Sequence, residues 1–371
     1  MPARSNLKYD TIIVGGGLVG SALACGIAKS GAKVAVLDGG DRDYRASRGN
    51  FGLVWVQGKG AEFPEYARLT RLSALQWPDL AEELLDSTGV DVELQQTGGY
   101  DFCLDEADWQ ARAQEMRGVA EHTDGAFEYQ MLDSASLRER IPEVSADLLG
   151  ASYSPQDGHV NPLYLLRALH QHMSGLGVDY RADQRVLASR CEGDGFVIDV
   201  AGGGYACERV VFCAGLSNQS LCEDLHMSMP LYPLRGQLLI TDRVPPFLSA
   251  ATLQVRQTGA GTLQIGDSHE DVGLDESTTI DVITALARRA VRIFPHLAEV
   301  RLNRAWGALR IMTPDGVPIY QQSSEYPGAY AVSCHSGVTL AAVHAREIAQ
   351  WICSGKSDQL VAPFSAERFD V

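Results

Sequence analysis

The chain has 371 residues, of which 45% are hydrophobic and 21% charged, and its formal net charge is -16 at pH 7. This length accommodates two or more domains of ordinary globular composition. The negative charge disfavours nucleic-acid partners, which need clustered Lys and Arg, and no apolar run reaches the roughly 18 residues of a membrane helix. The N-terminal segment lacks the apolar region of a signal peptide, so we expect a cytoplasmic protein with no integral membrane segment.

Eight cysteines are scattered along the chain without a CxxC pair and without histidines at metal-ligand spacing. We therefore expect reduced thiols and no metal site. An iron–sulfur cluster ordinarily takes four thiolates at a defined spacing, so a partner chain must supply one if electron transfer needs it.

The N-terminal elements form a glycine-rich strand–turn–helix pattern. An apolar run, Thr11 to Val14, meets Gly15, Gly17 and Gly20, and a second apolar run ends at Asp38. The three glycines permit a tight turn, close approach of a pyrophosphate and close packing of the helix, while a carboxylate at the second strand end can bind an adenosine ribose. Glycine-rich turns without ligands are common, but the complete unit predicts dinucleotide binding.

The middle of the chain predicts three helices. Helical periodicity extends from Tyr66 to Asp86 and recurs around Glu106 to Glu121. Asn161 suits the N-cap and Pro162 the first position of another helix, which Gly175 or Gly177 ends.

Strands dominate the next part. A short strand is predicted near Val178 to Tyr180, and GFVIDV and YACERVVFCAG form a hairpin around the turn at Ala201 to Gly204. From Leu231 to Trp306 the strand-like segments QLLIT, ATLQV and TLQIG, with a helix near Thr279 to Phe294, are typical of an antiparallel sheet with a covering helix.

The C-terminal part returns to α/β character, with a strand from Ala329 to Ser333, then Gly337, then a helix. This second junction suits a flavin, because reduced flavin carries negative charge along its N1 and C2 carbonyl edge and a helix N-terminus stabilises such charge. An ordinary connection with Gly337 as a turn residue fits the spacing equally well.

Seven motifs, in family order over nearly the whole chain, resemble the D-amino-acid oxidase/glycine oxidase superfamily. They are the N-terminal fingerprint, RASRGNFGLVW (Arg45 to Trp55), DGHVNP (Asp157 to Pro162), VVFCAG (Val210 to Gly215), RGQLLIT, WGALRIMTPDGVPIY and CHSGVTLAAVHA. Within the superfamily, SRGNFGLVWVQGKG and CHSGVTLAAVHA look most like the catalytic subunits of opine oxidases and D-hydroxyproline dehydrogenases. One subunit of hydrogen cyanide synthase is a more distant relative.

The resemblance and the element pattern together predict an α/β fold, in which a Rossmann-type FAD-binding domain of the glutathione-reductase kind is interleaved with an antiparallel-sheet α+β substrate domain. We expect the FAD-binding domain to comprise residues 1–80, 147–219 and 307–371. The substrate domain is then formed by residues 81–146 and 220–306.

The resemblance implies FAD at both glycine junctions, with Asp38 on the adenosine ribose and Val186 on the adenine side. The other residues expected to contact FAD are Gly15, Gly17, Leu18, Val19, Gly20, Gly39, Ala46, Ser47, Arg48, Gly49, Asn50, Gly52, Leu53, Ala214, Gly215, His335, Ser336, Gly337, Val338, Thr339 and Leu340. A turn that satisfies its own backbone is the alternative for the serine, arginine and asparagine of this set at 47–50.

Arg310 matches the arginine that binds the substrate carboxylate in glycine oxidase-like enzymes. A bidentate guanidinium fixes both carboxylate oxygens and aims the Cα hydrogen at flavin N5, although a structural ion pair is the commoner role of arginine. His335 falls in the segment expected against the flavin, where it can tune charge or contact substrate, and a buried structural histidine fits equally well. His269, Gln254 and Arg256 are further candidates for the substrate face.

The sequence differs from the sarcosine oxidases in two features that bear on flavin attachment and on the reaction with oxygen. Ala308 stands where those enzymes tether flavin through cysteine, so the resemblance implies non-covalent FAD. They also use a lysine beside the flavin to activate oxygen, whereas this chain has no lysine between Lys59 and Lys356. We therefore expect this electrostatic help with superoxide formation to be missing unless an arginine or histidine replaces the lysine, which favours a dehydrogenase over an oxidase.

These observations predict an FAD-dependent dehydrogenase that oxidises the carbon–nitrogen bond of a secondary or D-configured amino acid, such as D-hydroxyproline or an opine. The resemblance implies a second flavoprotein subunit and a small [2Fe–2S] subunit as partners, with FMN at a subunit interface. Two alternatives stay open: a stand-alone glycine- or sarcosine-type oxidase that produces hydrogen peroxide, and a non-catalytic FAD electron-relay subunit.

Overall fold

The structure is a computed structural model that describes residues 8–40, 46–266, 268–356 and 358–369. Arg45, the first residue of the RASRGN motif, lies outside the described residues. The strands are β1 (Lys8–Val14), β2 (Val34–Leu37), β3 (Leu53–Val54), β4 (Gly99–Cys103), β5 (Gln130–Asp133), β6 (Gly150–Ser154), β7 (Gly158–His159), β8 (Asp179–Arg181), β9 (Val186–Glu192), β10 (Gly195–Val200), β11 (Gly203–Phe212), β12 (Tyr232–Arg243), β13 (Ala251–Thr252), β14 (Val255–Gln257), β15 (Thr262–Ile265), β16 (Leu302–Met312), β17 (Ile319–Gln322) and β18 (Ala329–Ser333). The α-helices are α1 (Leu18–Lys29), α2 (Pro64–Thr88), α3 (Glu106–His122), α4 (Ser134–Arg140), α5 (Pro162–Gly175), α6 (Asn218–Leu221), α7 (Ile280–Ile293), α8 (Ala341–Val343) and α9 (Ala349–Ser354), with a π-helical turn, His344–Ile348, between the last two.

An eight-stranded sheet carries the N-terminal fingerprint. Its main path runs β17-β18-β11-β1-β2-β8, and β10 and β9 branch from β11. The strands from β18 to β8 on this path are parallel, and Ile12 and Ile13 of β1 are fully buried because helices and a further strand layer cover both faces. This is the Rossmann-type arrangement that the sequence predicts.

Two smaller sheets stand beside the parallel sheet. One has the order β14-β15-β12-β16 and is antiparallel, and α7 contacts β12 and β15 as the predicted covering helix. Where β12 pairs with the edge strand β16, Leu234 faces Arg310 and Gly236 faces Ala308. The other sheet has the order β13-β4-β6-β5. The mixed α/β fold class is therefore confirmed.

The predicted helices are confirmed within a few residues at each end. In α5, the Asn161 side chain accepts hydrogen bonds from the N–H groups of Leu163 (3.2 Å) and Tyr164 (3.3 Å), as an N-cap should. The predicted hairpin is also confirmed, because β10 pairs antiparallel with β11.

Two predicted elements differ in the structure. The segment ATLQV is not one strand: β13 ends at Thr252, whose hydroxyl bonds both the carbonyl oxygen (2.7 Å) and the N–H (2.9 Å) of Val255, and this turn separates β13 from β14. The last helix begins at Ala341, because residues 337–340 form a turn rather than its first turn of α-helix.

The domain boundaries stay a prediction. α2 continues through residue 80, and its Leu84 packs in the same hydrophobic core as Leu23 of α1. Within the described parts of the chain, no helix is long and apolar enough to cross a membrane. The same residues contain no group of three or more His, Cys, Asp or Glu that could hold a metal ion, and the eight cysteines are free thiols.

Candidate functional site

A cavity of about 390 Å³ opens at the carboxyl ends of β1 and β2. Gly15 makes the turn into α1 with φ +103°, in the region that favours glycine, and its N–H donates to the Leu37 carbonyl (2.8 Å). A Cβ on Gly20 would overlap the Gly15 carbonyl oxygen, so helix and turn touch through backbone alone. The predicted residues lining this cavity are Gly15, Gly17, Leu18, Val19, Asp38, Gly39, Ala46, Ser47, Arg48, Val186, Ala214 and Gly215.

Asp38 is buried in the wall of this first cavity. Its Oδ2 accepts the Gly16 N–H (2.7 Å) and its Oδ1 accepts the Gly40 N–H (2.9 Å), so the carboxylate holds both sides of the turn. Each oxygen has a second lone pair, which leaves acceptor capacity for ribose hydroxyls. Ser47 Oγ accepts the Leu18 N–H (3.0 Å) and thereby closes the 46–50 segment over the start of α1.

A second cavity of about 200 Å³ adjoins the first. The two share Leu18, Val19, Ala46, Ser47, Ile311 and Cys334. The predicted residues that line only the second cavity are Gly49, Asn50, Leu53, Arg310, His335, Ser336, Gly337, Val338 and Thr339. Two joined cavities suit an elongated ligand such as a dinucleotide, and the sequence predicts its adenosine at the Asp38 end and its flavin at the 335–339 end.

Three predicted cofactor residues line neither cavity. Gly20 acts through the turn that it packs against, and Leu340 is fully buried in the hydrophobic core. Gly52 has φ +90°, and a Cβ there would overlap the Val160 carbonyl oxygen, so it permits close packing of the DGHVNP segment. These three residues do not line the cavities but pack against the segments that do.

The 335–339 segment is fixed to two other parts of the chain. Thr339 Oγ1 donates to the Leu53 carbonyl (3.2 Å) and accepts the Trp55 N–H (3.1 Å). The Thr339 carbonyl oxygen accepts hydrogen bonds from Ser73 Oγ (2.6 Å) and Trp77 Nε1 (3.1 Å) on α2. The backbone expected against the flavin is therefore preorganised by α2 and by β3.

Asp157 holds the segment after β3. It is fully buried, and it accepts hydrogen bonds from the Val56 N–H (2.5 Å) and from Gln57 Nε2 (2.6 Å). Burial raises the pKa of Asp157 to about 7, although these hydrogen bonds and the Arg112 charge oppose the rise.

We expect Asp157→Asn to change how stability depends on pH. Because the folded-state pKa of Asp157 is raised, the wild type loses stability relative to this variant as pH rises from about 4 to about 7. Urea unfolding of both proteins across this range measures the difference. Asp133→Asn is the control: hydrogen bonds from Ser136 lower the pKa of Asp133, so the wild type loses stability relative to this variant only as pH falls toward and below the ordinary Asp value of 3.8. A pH-independent difference for Asp157→Asn would contradict the expectation.

Arg310 is half-buried on β16 and faces the second cavity. Its Nη1 donates to the Ser268 carbonyl (2.9 Å), and a Cβ on Gly236 would lie 2.5 Å from Nη2. The glycine on the facing strand thus makes room for the guanidinium, which can present a fork of N–H donors to a carboxylate.

His335 lines the same cavity and lies near three basic side chains, of which Lys59 and Arg310 also line the cavity. Burial holds the pKa of His335 well below its ordinary value of 6.5, and the charges of Lys59, Arg310 and His269 lower it further in that order. The imidazole is therefore neutral at physiological pH.

We expect the pH dependence of kcat/KM to be unaffected by His335. If His335 does not titrate between about pH 6 and pH 10, the rise in rate with pH belongs to the substrate amine, which must lose a proton. His335→Gln should not shift the pH at which kcat/KM reaches half its maximum, whatever its effect on the maximal rate. A displaced midpoint for the same substrate would show that His335 is the titrating group.

Lys59 also lines the second cavity. The turn after β3 brings Lys59 into the lining of the cavity predicted to hold the flavin, which counts against the expectation that no lysine assists there. The sequence signal was the GKG triplet that follows the RASRGN motif, whose glycines Gly58 and Gly60 have φ +75° and +73°.

The remaining candidates lie outside the cavity lining. Gln254 Nε2 donates to Asp101 Oδ1 (2.7 Å) behind the wall, so the structure does not bring it to the substrate face. Arg256 is buried and donates to Gln264 Oε1 (2.7 Å) and to the Val160 carbonyl (3.2 Å), contacts that join β14 to the DGHVNP segment. His269 is exposed and is not among the residues that line the cavity, but its charge acts on His335.

Two glycine-bearing junctions on a parallel sheet, opening into joined cavities, define a dinucleotide-binding oxidoreductase. The chain belongs to the FAD-dependent oxidoreductase (DAO) family, whose family model matches residues 10–351. The resemblance seen in the sequence motifs is thereby confirmed.

Individual relatives match over almost their full length. The chain is 43% identical to one subunit of the opine oxidase of Rhizobium meliloti, with 98% of each chain covered. It is 28% identical to the hydrogen cyanide synthase protein HcnC of Pseudomonas protegens, covering 97% of this chain and 96% of that protein. The crystal structure of glycine oxidase from Geobacillus kaustophilus superimposes with a TM-score of 0.86 at 25% identity, covering 96% of this chain and 98% of that one.

Proposed function

We propose that the chain is the catalytic subunit of an FAD-dependent dehydrogenase, which oxidises the carbon–nitrogen bond of a secondary or D-configured amino acid. The observation that carries this proposal is the placement of Arg310 in one cavity with the 335–339 segment. A carboxylate-binding side chain and a flavin-binding backbone then face the same small volume. Opines and D-hydroxyproline are the substrates we expect, since an opine oxidase subunit is a relative.

FAD, when bound, supplies a two-electron acceptor that takes a hydride at its N5 atom. The chain supplies orientation and exclusion of water. Arg310 holds the substrate carboxylate through two parallel hydrogen bonds, which fixes the Cα–H direction. Phe51, Trp55 and Leu238 form apolar walls, and a neutral His335 adds no positive charge beside an amine that must itself be neutral when hydride leaves.

The cofactor is proposed to be bound without a covalent link. Ala308 lies in the cavity wall where the sarcosine oxidases carry their cysteine. Cys334 is the cysteine that lines the second cavity among the described residues, and burial raises the pKa of its thiol to about 12, which keeps it unreactive.

We propose that electrons leave through partner subunits in the cytoplasm. The name of the opine oxidase relative, which calls it a subunit, supports a hetero-oligomer. A second flavoprotein, a small [2Fe–2S] protein and FMN at a subunit interface are the partners and cofactor that the sequence resemblance implies. The chain's own thiols are dispersed and mostly buried, and no metal-binding group occurs among the described residues, which supports placing the cluster in a partner.

Anaerobic reduction tests the proposal. The purified FAD-loaded chain is mixed without oxygen with D-hydroxyproline, octopine, nopaline, D-proline, sarcosine and glycine while flavin absorbance is followed, and air is then admitted. Bleaching by one of the first three with slow recovery in air is the expected result. If no amino acid bleaches the flavin, the chain is an electron-relay subunit and the proposal fails.

A stand-alone oxidase is the second candidate, and Lys59 is the observation that favours it. An ammonium beside the flavin can stabilise superoxide as oxygen takes an electron. Fast recovery of the flavin colour in air, with one peroxide formed per turnover, would identify an oxidase.

A further inference from the structure

The second cavity carries two cationic side chains on separate elements. Arg310 reaches it from β16, and Lys59 reaches it from the turn after β3. Both charges act on the ring of His335, which lies in the same wall, so they surround one small volume. Among the described residues that line this cavity, none is Asp or Glu, although the chain as a whole has a net charge of -16.

The turn that carries Lys59 is held firmly. The Lys59 N–H donates to the Val56 carbonyl (3.0 Å), and Asp157 fixes Val56 from the buried side. A Cβ on Gly58 would lie 2.8 Å from Arg112 Nη1, so that guanidinium packs on the turn while it pairs with Asp101 and Glu115. The backbone that carries Lys59 is therefore fixed, and Lys59 lines the cavity.

The two cations suit different contacts. A guanidinium presents a planar fork that matches one carboxylate, whereas an ammonium is a compact charge with three N–H donors. An ammonium that already has a partner in the protein can still donate to a ligand. With one carboxylate at Arg310, the ammonium of Lys59 can donate to a second anionic group on the same small molecule as well as to its partner in the protein.

We propose that Lys59 is a specificity-determining residue that binds a second carboxylate, so that the site selects amines flanked by two carboxylates over amino acids with one. This inference rests on the proposed function, because it assumes that Arg310 takes the first carboxylate. It assigns the substrate class to a dicarboxylic secondary amine, in which the reacting carbon–nitrogen bond lies between the two anchors.

Binding of unreactive analogues tests the inference without turnover. Thiodiacetate has two carboxylates and a sulfur in place of the amine, whereas (methylthio)acetate has one carboxylate, and neither has a carbon–nitrogen bond to oxidise. Each is titrated into the FAD-loaded chain, and its Kd is measured from the change in flavin absorbance or by calorimetry. We expect wild-type protein to bind thiodiacetate about 10-fold more tightly.

Lys59→Met should abolish this preference and change the Kd of (methylthio)acetate less than about twofold. Lys59→Arg should retain part of the preference, and Lys33→Met, which removes an exposed lysine far from the site, should retain all of it. Arg310→Lys should weaken both ligands.

The outcomes separate this inference from the proposed function. If amino acids bleach the flavin but wild type and Lys59→Met show the same ratio of Kd values, the inference fails and the proposed function stands. If Lys59→Met slows only the recovery of reduced flavin in air, Lys59 serves oxygen chemistry, which also overturns the inference. A lost preference together with unchanged reoxidation supports it.

Discussion

Arg310→Lys is expected to weaken substrate binding about 100-fold while leaving the FAD content of the protein unchanged. Lysine keeps the charge but loses the planar fork, so a carboxylate retains one hydrogen bond instead of two and its orientation is released. The residue lies on β16, away from the first cavity and Asp38, so the adenosine end of the site is not altered. Rapid-mixing reduction at varied substrate concentration gives the Kd and the limiting rate separately.

A second variant displaces the Arg310 side chain without replacing it. Gly236→Ala puts a methyl group within 2.5 Å of Arg310 Nη2, and the flexible guanidinium, rather than the strand, must move. We expect a raised substrate Kd with normal unfolding. If both Arg310→Lys and Gly236→Ala keep the wild-type Kd, Arg310 is not the carboxylate-binding residue.

Gly20→Ala is expected to abolish retention of FAD and to lower stability by several kcal/mol. The added Cβ would overlap the Gly15 carbonyl oxygen and lie 3.2 Å from Cys213 Cβ, so α1 must move away from the turn that receives the pyrophosphate. Flavin absorbance relative to protein absorbance after gel filtration gives the FAD content, and thermal unfolding gives the loss of stability.

Gly175→Ala is the matched control. Gly175 ends α5 and has no heavy atom within 4 Å of an added Cβ, so the same substitution is expected to be neutral or to stabilise by less than about 1 kcal/mol. Retained FAD in Gly20→Ala would show that the helix and the turn are not as rigidly coupled as their contact indicates.

The parallel sheet and its fingerprint were predictable because short-range patterns encode them. Glycine spacing, the acidic end of β2 and the Asn161–Pro162 helix start each act within a few residues, where sequence and geometry are tightly linked. The small strands β3 and β7 were missed, since two residues carry no periodicity and their pairing joins Leu53 to His159.

Lys59 was missed for a related reason. The resemblance to the sarcosine oxidases predicts a lysine only where those relatives place one, whereas entry into a cavity depends on which turns meet in space. The turn after β3 is shaped by a buried carboxylate at residue 157 and by Arg112 on α3, and neither contact has a local signature. Gln254 is the opposite case, a residue predicted at the site that lies outside it. Its sequence position suits the substrate face, but its side chain donates a hydrogen bond to Asp101 instead.

The order of strands across the large sheet has a consequence for how the holoprotein is made. β18 lies directly beside β11, and the 335–339 segment follows it near the end of the chain, whereas the fingerprint occupies the start. During synthesis the nascent chain can therefore form the β1–α1–β2 unit early, but the flavin end of the site stays open until the last strands insert. Stable cofactor loading is then a late event in biogenesis, and a chain that ends before residue 329 would lack one wall of its own prosthetic-group site.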